Sequence, residues 1–210
     1  IEIQNKTIPI LGGYGDLQAS LYGANLDKES LAINMGTGSQ VSRLYVPNNS
    51  KDQYIDTKPF FEKKLQTVTH IPAGRTFNYL NSNYFKDTNF WENLNSINYV
   101  PGKKPKLKVD LNIFESNWKY KKNLFNNLDL KKHKLTSIYE SILWEFCSQY
   151  IEAIDLLNTD NLRSLVISGG MLKKINFVQK FFKSQEKFST NFPTFPIDET
   201  LLGLHLISLE

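Results

Sequence analysis

Residues 12–39, GGYGDLQASLYGANLDKESLAINMGTGS, constrain this chain more than any other stretch. Three glycines, Gly12, Gly13 and Gly15, lead into a lone acid, Asp16. Glycine tolerates positive φ and lets a backbone come close to a ligand. Residues 17–23 are small and apolar enough for one helix packed on a sheet, and a carboxylate at the start of a helix is favoured by the helix dipole. Residues 30–34 and 40–46 read as two strands around Gly36-Thr37-Gly38-Ser39. Such a turn can present successive N–H groups to an anion. Asp16 lies 21 residues before Thr37, and an acid combined with a phosphate-type turn suits phosphoryl transfer. Each feature also has a plainer reading. Asp16 can be a helix N-cap. The GTGS turn can be an ordinary hairpin, and it lacks the lysine of a Walker A loop.

A chain of 210 residues is expected to form one domain with a sizeable core. Its 25 basic and 21 acidic residues leave a formal charge of +4, too mild for nucleic acid without a concentrated patch. The two basic clusters, residues 103–108 and 131–134, read as solvated loops, with a basic binding surface as the alternative. Cys147 is the single cysteine, so no internal disulfide forms and a reducing compartment is implied. His70, His133 and His205 lack zinc-ligand spacing. No apolar run approaches 18 residues and no signal peptide is evident, so a cytoplasmic protein with no membrane partner is expected. A start at Ile1 rather than Met suggests a fragment, a cleaved product or an expressed domain.

Further along, residues 8–11 read as a strand that Pro9 places at a sheet edge. Residues 65–71 read as another strand, residues 72–74 as a turn, and residues 77–94 as a helix rich in disfavoured Asn. Residues 109–114 are a strand candidate. Residues 135–157 carry the clearest helical pattern, with Leu135, Ile138, Ile142, Phe146, Tyr150, Ile154 and Leu157 on one face. Ser137 and Glu140 fit a capping box that would start this helix at Ile138. Trp144 and Cys147 widen the buried stripe, whereas Glu140 and Glu145 read as solvent-facing or capping groups rather than catalytic acids. Residues 164–168 (SLVIS) form a strand ended by Gly169-Gly170, with a helix over 171–182. That turn either lets a nucleotide base lie against the backbone or is a tight strand-to-helix connection with no ligand. A last helix spans 198–209, with Asp198 as its cap. Alternating strands and helices, with a hairpin near the start, predict a mixed α/β domain.

Four of these segments, in this order, resemble the motifs of the FGGY carbohydrate kinases. TIPILGGYGDLQASLYG (residues 7–23) is similar to the strand, Gly-Asp and helix of that family, and INMGTGSQVSRL (33–44) to its phosphate-binding hairpin. SLVISGGMLKKINFVQKF (164–181) resembles its adenosine motif, and DETLLGLHLIS (198–208) the helix that follows. Gly-Asp-Leu-Gln and PFFEKKLQTV (59–68) look most like the sedoheptulokinase branch.

The resemblance implies the actin-like ATPase (ribonuclease H-like) fold, a mixed sheet flanked by helices. The whole chain, residues 1–210, would be the C-terminal, ATP-binding domain. The N-terminal domain would supply most sugar contacts and the magnesium-binding acid. It implies ATP and Mg2+ as cofactors, a sugar substrate, and a fragment inactive on its own. Asp16 matches the catalytic base, and Gln18 stands where the sugar is contacted. Gly36, Thr37, Gly38 and Ser39 match the phosphate loop; Gly169, Gly170 and Lys174 match the adenosine site. Leu17 departs from the polar residue that follows the base in many members, which disfavours a glycerol-type substrate and suits a heptulose. Lys174 stands where Asn is common beside adenine, with Asn176 as a substitute. A non-catalytic nucleotide- or partner-binding module on the same fold is the alternative.

Overall fold

The computed structural model describes residues 2–3, 6–7, 15–45, 52–86, 88–119, 133–157, 162–193 and 199–209. These fall in two compact units. One joins the chain ends, Ile1–Leu26 and Pro193–Glu210, and the other is Asp27–Phe192.

In the terminal unit, β1 (Glu2–Ile3) and β2 (Lys6–Thr7) pair antiparallel. Helix α1 (Asp16–Gly23) packs against the last helix, α7 (Glu199–Ile207). Their backbones touch at one place. A Cβ added at Gly203, in the middle of α7, would run into the carbonyl oxygen of Ala19, which is itself fully buried. Glycine costs a helix interior about 0.5–1 kcal/mol, and here it permits the close approach. The expected helix over 17–23 is present, starting one residue earlier. The expected strand at 8–11, Gly12, Gly13 and the Asp198 cap lie outside the described residues.

The central unit is built on a six-stranded sheet. Its strands are β3 (Ser30–Met35), β4 (Ser39–Leu44), β5 (Asp56–Phe60), β6 (Lys63–Thr69), β7 (Ser164–Ser168) and β8 (Ser189–Asn191). They lie in the order β5-β6-β4-β3-β7-β8. β7 runs parallel to β3 and β8, and the other pairs are antiparallel. This is the mixed sheet that the alternation of elements predicts. The helices are α2 (Gly74–Tyr84), α3 (Phe90–Ser96), α4 (Leu135–Leu157), α5 (Gly170–Lys174) and α6 (Asn176–Lys183).

Helix α4 carries the core. Of the stripe read from the sequence, Ile138, Ile142, Phe146, Tyr150, Ile154 and Leu157 are at most 1% exposed, whereas Leu135, at the first position of the helix, is 40% exposed. The buried residues form one cluster with Leu31, Ile33, Met35, Val41, Val68, Leu165 and Ile167. Those strand residues alternate along β3, β4, β6 and β7, so they share one face of the sheet. Burying a large aliphatic side chain contributes about 1.5–3 kcal/mol, which is why this seam outweighs the weak propensities around it.

Several expectations are corrected. The helix read over 77–94 is two helices. The chain breaks after Tyr84 and turns Phe85 into the core, where it stacks on Phe90 at 5.3 Å. Helix α4 starts at Leu135, not Ile138. Glu140 does not cap it but pairs with Lys103 at 3.4 Å, and the Ser137 carbonyl accepts from the Ser141 hydroxyl at 2.7 Å. Residues 109–114 form no strand. The Asp110 carboxylate accepts from both the backbone and the side-chain N–H of Asn112, at 3.0 and 2.9 Å, and such local bonds compete with a sheet ladder. The helix read over 171–182 is split at Ile175, which adopts φ −134° and ψ 100° and is fully buried. Strand β5 was not read from DTKPF, an exposed segment containing Pro59.

Gly203→Ala is expected to lower stability by about 1–3 kcal/mol through overpacking. Urea denaturation checks this, and an unchanged midpoint would contradict the close α1–α7 approach.

Candidate functional site

Residues Gly36, Thr37 and Gly38 form the turn between β3 and β4, closed by the Met35–Ser39 pair. Helix α2 docks its first residues on this turn. The Gly74 N–H donates to Gly36 O at 3.0 Å and the Arg75 N–H to Thr37 O at 3.1 Å. A Cβ at Gly74 would stand 2.9 Å from Gly36 O, so only glycine permits the approach. The first N–H groups of a helix lack partners within it, and here the turn's carbonyls accept from them. The Ser39 hydroxyl, buried, donates to Ile71 O at 2.6 Å. Ser39 therefore braces the turn. The N–H groups of Thr37 and Gly38 have no partner among the described residues. Both residues are exposed, and a Cβ at Gly38 would meet nothing within 4 Å.

A second glycine turn lies beside the first. Gly169 and Gly170 follow β7, which runs parallel to β3 with Ser168 opposite Asn34. Gly169 has φ 106°, and a Cβ there would stand 2.5 Å from the Met35 carbonyl carbon. Its glycine is thus demanded by packing against the end of β3. Gly170 is different, being exposed with nothing within 4 Å of its Cβ position. Lys174, on α5, extends its ammonium over the Trp91 ring at 4.9 Å, and Trp91 stacks on Phe77 at 6.1 Å. The two turns therefore occupy the carboxyl ends of adjacent parallel strands, where open α/β sheets take ligands.

Asp16 and Gln18 belong to the terminal unit. The N-cap of α1 is Gly15, and Asp16 is the first helical residue. The Asp16 carboxylate accepts from the Leu17 N–H at 2.7 Å, and the Gln18 side-chain oxygen accepts from the Gly15 N–H at 3.1 Å. Asp16 is exposed.

Arg43, Cys147 and Tyr150 are buried. Arg43 is buried in the sheet, where desolvation lowers its pKa and its guanidinium donates to the Gln66 side-chain oxygen at 3.0 and 2.8 Å. Burial pushes the Cys147 thiol and the Tyr150 phenol up, which keeps both neutral and makes Cys147 a poor nucleophile. Among the described residues, no group of three or more His, Cys, Asp or Glu could hold a metal ion, and no helix is long and apolar enough to cross a membrane.

Residues 72–74 read as a turn, but two features of this region were not read from the sequence. One is the close packing of Gly74 on Gly36. The other is a cleft of about 100 Å³ that flanks the Thr37–Gly38 turn, with Arg75, Asn112 and Glu115 among its walls. It was hidden because residues 109–114 read as a strand.

No family model matches the sequence, and no curated protein matches it. Solved structures do resemble the fold. The xylulose kinase of Lactobacillus acidophilus superposes with a TM-score of 0.72 at 16% identity, over 91% of this chain and 41% of that one. The glycerol kinase of Plasmodium falciparum with ADP gives 0.63 at 16% identity, over 93% and 41%. The activator of the 2-hydroxyisocaproyl-CoA dehydratase from Clostridium difficile with bound ADPNP gives 0.52 at 15% identity, over 91% and 65%. The chain thus has the actin-like ATPase fold of the carbohydrate kinases, and it spans about two fifths of the length of the sugar kinases it resembles.

The two adjacent glycines should respond differently to a methyl group. Gly169→Ala is expected to destabilise by about 1–3 kcal/mol, from positive φ and overpacking. Gly170→Ala is expected to stay within about 0.5 kcal/mol of the parent. Thermal melts of both variants check the pair, and equal losses would refute the division of roles.

Proposed function

We propose that this chain is the ATP-binding and catalytic half of a carbohydrate kinase, which transfers the γ-phosphoryl group of ATP to a sugar hydroxyl. One observation carries the reading. The unpartnered N–H groups of Thr37 and Gly38, and the open backbone at Gly170, lie at the carboxyl ends of two neighbouring parallel strands. Backbone N–H groups in a turn suit phosphate oxygens, and an open glycine suits the flat nucleoside. The likeness to solved carbohydrate kinases, one of them with ADP, supports the same assignment.

In this reading Gly36, Thr37 and Gly38 hold the phosphates, while Ser39 fixes the turn from below. Gly170 takes the adenosine, with Gly169 shaping its approach and Lys174 at the margin. ATP supplies the phosphoryl group, and Mg2+ offsets the phosphate charge through water and the other half of the protein. Asp16 orients the sugar hydroxyl and accepts its proton. A loose phosphoryl transition state asks for orientation more than early deprotonation, so an exposed carboxylate suffices. Gln18, two residues on, is suited to a second sugar hydroxyl. The acceptor is a ketose of the sedoheptulose type, and an FGGY-type N-terminal domain completes the cleft. The protein works in the cytoplasm, without nucleic acid or membrane.

A second reading, a non-catalytic nucleotide- or partner-binding module, is favoured by Lys174, whose ammonium is held by Trp91 where an amide would read adenine.

Asp16→Asn in the complete protein is expected to cut sugar-dependent ATP turnover by about 100-fold or more while leaving ATP affinity nearly intact. Unchanged turnover would remove Asp16 from the mechanism. Thr37→Ala combined with Gly38→Val is expected to weaken ATP about tenfold or more in a calorimetric titration. ATP affinity equal to the parent's would reduce the turn to a structural hairpin.

A further inference from the structure

Residues 70–73, between β6 and α2, form an irregular segment that grips the turn between β3 and β4. His70 leaves the strand with φ 64°, in the left-handed region that non-glycine residues seldom take. Four hydrogen bonds then join residues 70–75 to residues 36–39. The His70 N–H donates to Ser39 O at 3.1 Å, the Gly74 N–H to Gly36 O at 3.0 Å and the Arg75 N–H to Thr37 O at 3.1 Å. The Ser39 hydroxyl donates to Ile71 O at 2.6 Å. The turn is therefore placed only as well as this segment is.

The segment has a support of its own in the core. Pro72 has no N–H to contribute, and it is buried together with Ile71 and Ala73. Its carbonyl accepts from the Tyr150 phenol of α4 at 3.3 Å. Among the described residues, this is the one hydrogen bond from α4 to the segment. The Ser39 hydroxyl is a hydrogen-bonding neighbour of the same phenol. Tyr150 is fully buried, and its ring lies edge-on to Phe146 at 5.0 Å and to Phe182 at 6.5 Å. Those contacts belong to the ring, so the work of the hydroxyl is separable from packing. Burial raises the phenol pKa, which keeps the group a donor. Without it, the Pro72 carbonyl would be a buried acceptor that has lost its partner, and such a loss costs more than the bond contributes. Tyr150 is not among the residues that line the cleft beside the turn, so it can act there only through Pro72 and Ser39.

We propose that Tyr150 is a positioning residue. From the core helix its phenol fixes the backbone of Ile71 and Pro72, and that backbone sets the N–H groups of Thr37 and Gly38 for the phosphates. Donors held in place beforehand cost less to order when a ligand arrives. The role rests on the kinase reading for the ligand, and on the hydrogen bonds above for the support.

Tyr150→Phe in the complete protein tests this by two measurements. In a calorimetric titration ATP should bind about three- to tenfold more weakly, the range of one hydrogen bond. Adenosine should bind as in the parent, because its place is assigned to the Gly170 turn on another strand. Amide hydrogen exchange at Gly74 and Arg75, whose N–H groups hold the turn, should quicken about threefold or more. The amides of Leu165 and Ile167, in β7, should keep their parent rates. A general loosening of the fold would weaken ATP and adenosine alike and quicken all four amides, and that result overturns the positioning role. ATP affinity equal to the parent's also overturns it and leaves the kinase reading standing. A parent protein that binds no ATP overturns the kinase reading instead. Exchange at Gly74 and Arg75 then decides the role of Tyr150, upheld by faster exchange in the variant and overturned by unchanged rates.

Discussion

Five residues of parallel pairing, Ser30–Asn34 against Ser164–Ser168, hold the two glycine turns of the candidate site in place. Every other pairing of β3 and β4 is antiparallel and joins segments close in sequence. The β3–β7 ladder instead joins the two ends of the central unit. It also sets two glycine turns side by side, because parallel strands end on the same edge of a sheet. Gly169 tightens the arrangement by letting the β7 turn rest on the Met35 backbone. Gly74 does the same for helix α2 on the other turn. The candidate site is thus shaped by two glycines where an added methyl would meet backbone and two, Gly38 and Gly170, where it would meet nothing within 4 Å.

The parts of the fold that were legible in the sequence are those where one physical signal dominated. The stripe from Leu135 to Leu157 repeats so regularly that both ends of α4 matched the apolar pattern, although Ser137 and Glu140 suggested a later start. SLVIS read as a strand because branched apolar residues filled it. The mixed sheet followed from the order of such segments, and the actin-like fold from the resemblance of four motifs to the FGGY kinases. Illegible were the places where tertiary packing overrode local pattern. Phe85 breaks a helical run because its ring is better placed in the core than on a longer helix. Ile175 interrupts α5 and α6 for the same reason. Asp110 captures Asn112 locally, so a run with strand-like alternation stays irregular. The two glycine turns were legible as turns that end strands. Which glycines face protein was not, since that depends on the closeness of a strand end far away in sequence.

The irregular segment beyond α3 owes its order to α4. Trp118 is 1% exposed, and its indole N–H donates to the Gln149 side-chain oxygen at 2.8 Å. Gln149 in turn donates to Glu145 at 2.7 Å. Tyr54 meets the Trp118 ring edge-on at 5.2 Å. Buried polar groups with matched partners specify position as well as stability. This short chain fastens a loop with little regular backbone to the most deeply buried helix. Asn112 and Glu115 stand on that same loop, so their positions beside the Thr37–Gly38 turn are inherited from the core.

The two rims of the sheet are built differently from its middle. β8 has three residues, and β5 is exposed along most of its length, with Lys58 and Pro59 near its end. A lysine resists burial against another strand, and a proline has no N–H to offer one. A ladder of backbone groups invites a neighbouring chain to extend it, and here that invitation is withdrawn on one rim by residue type and on the other by brevity. Among the described residues, both edge strands thus offer a poor template for a further strand.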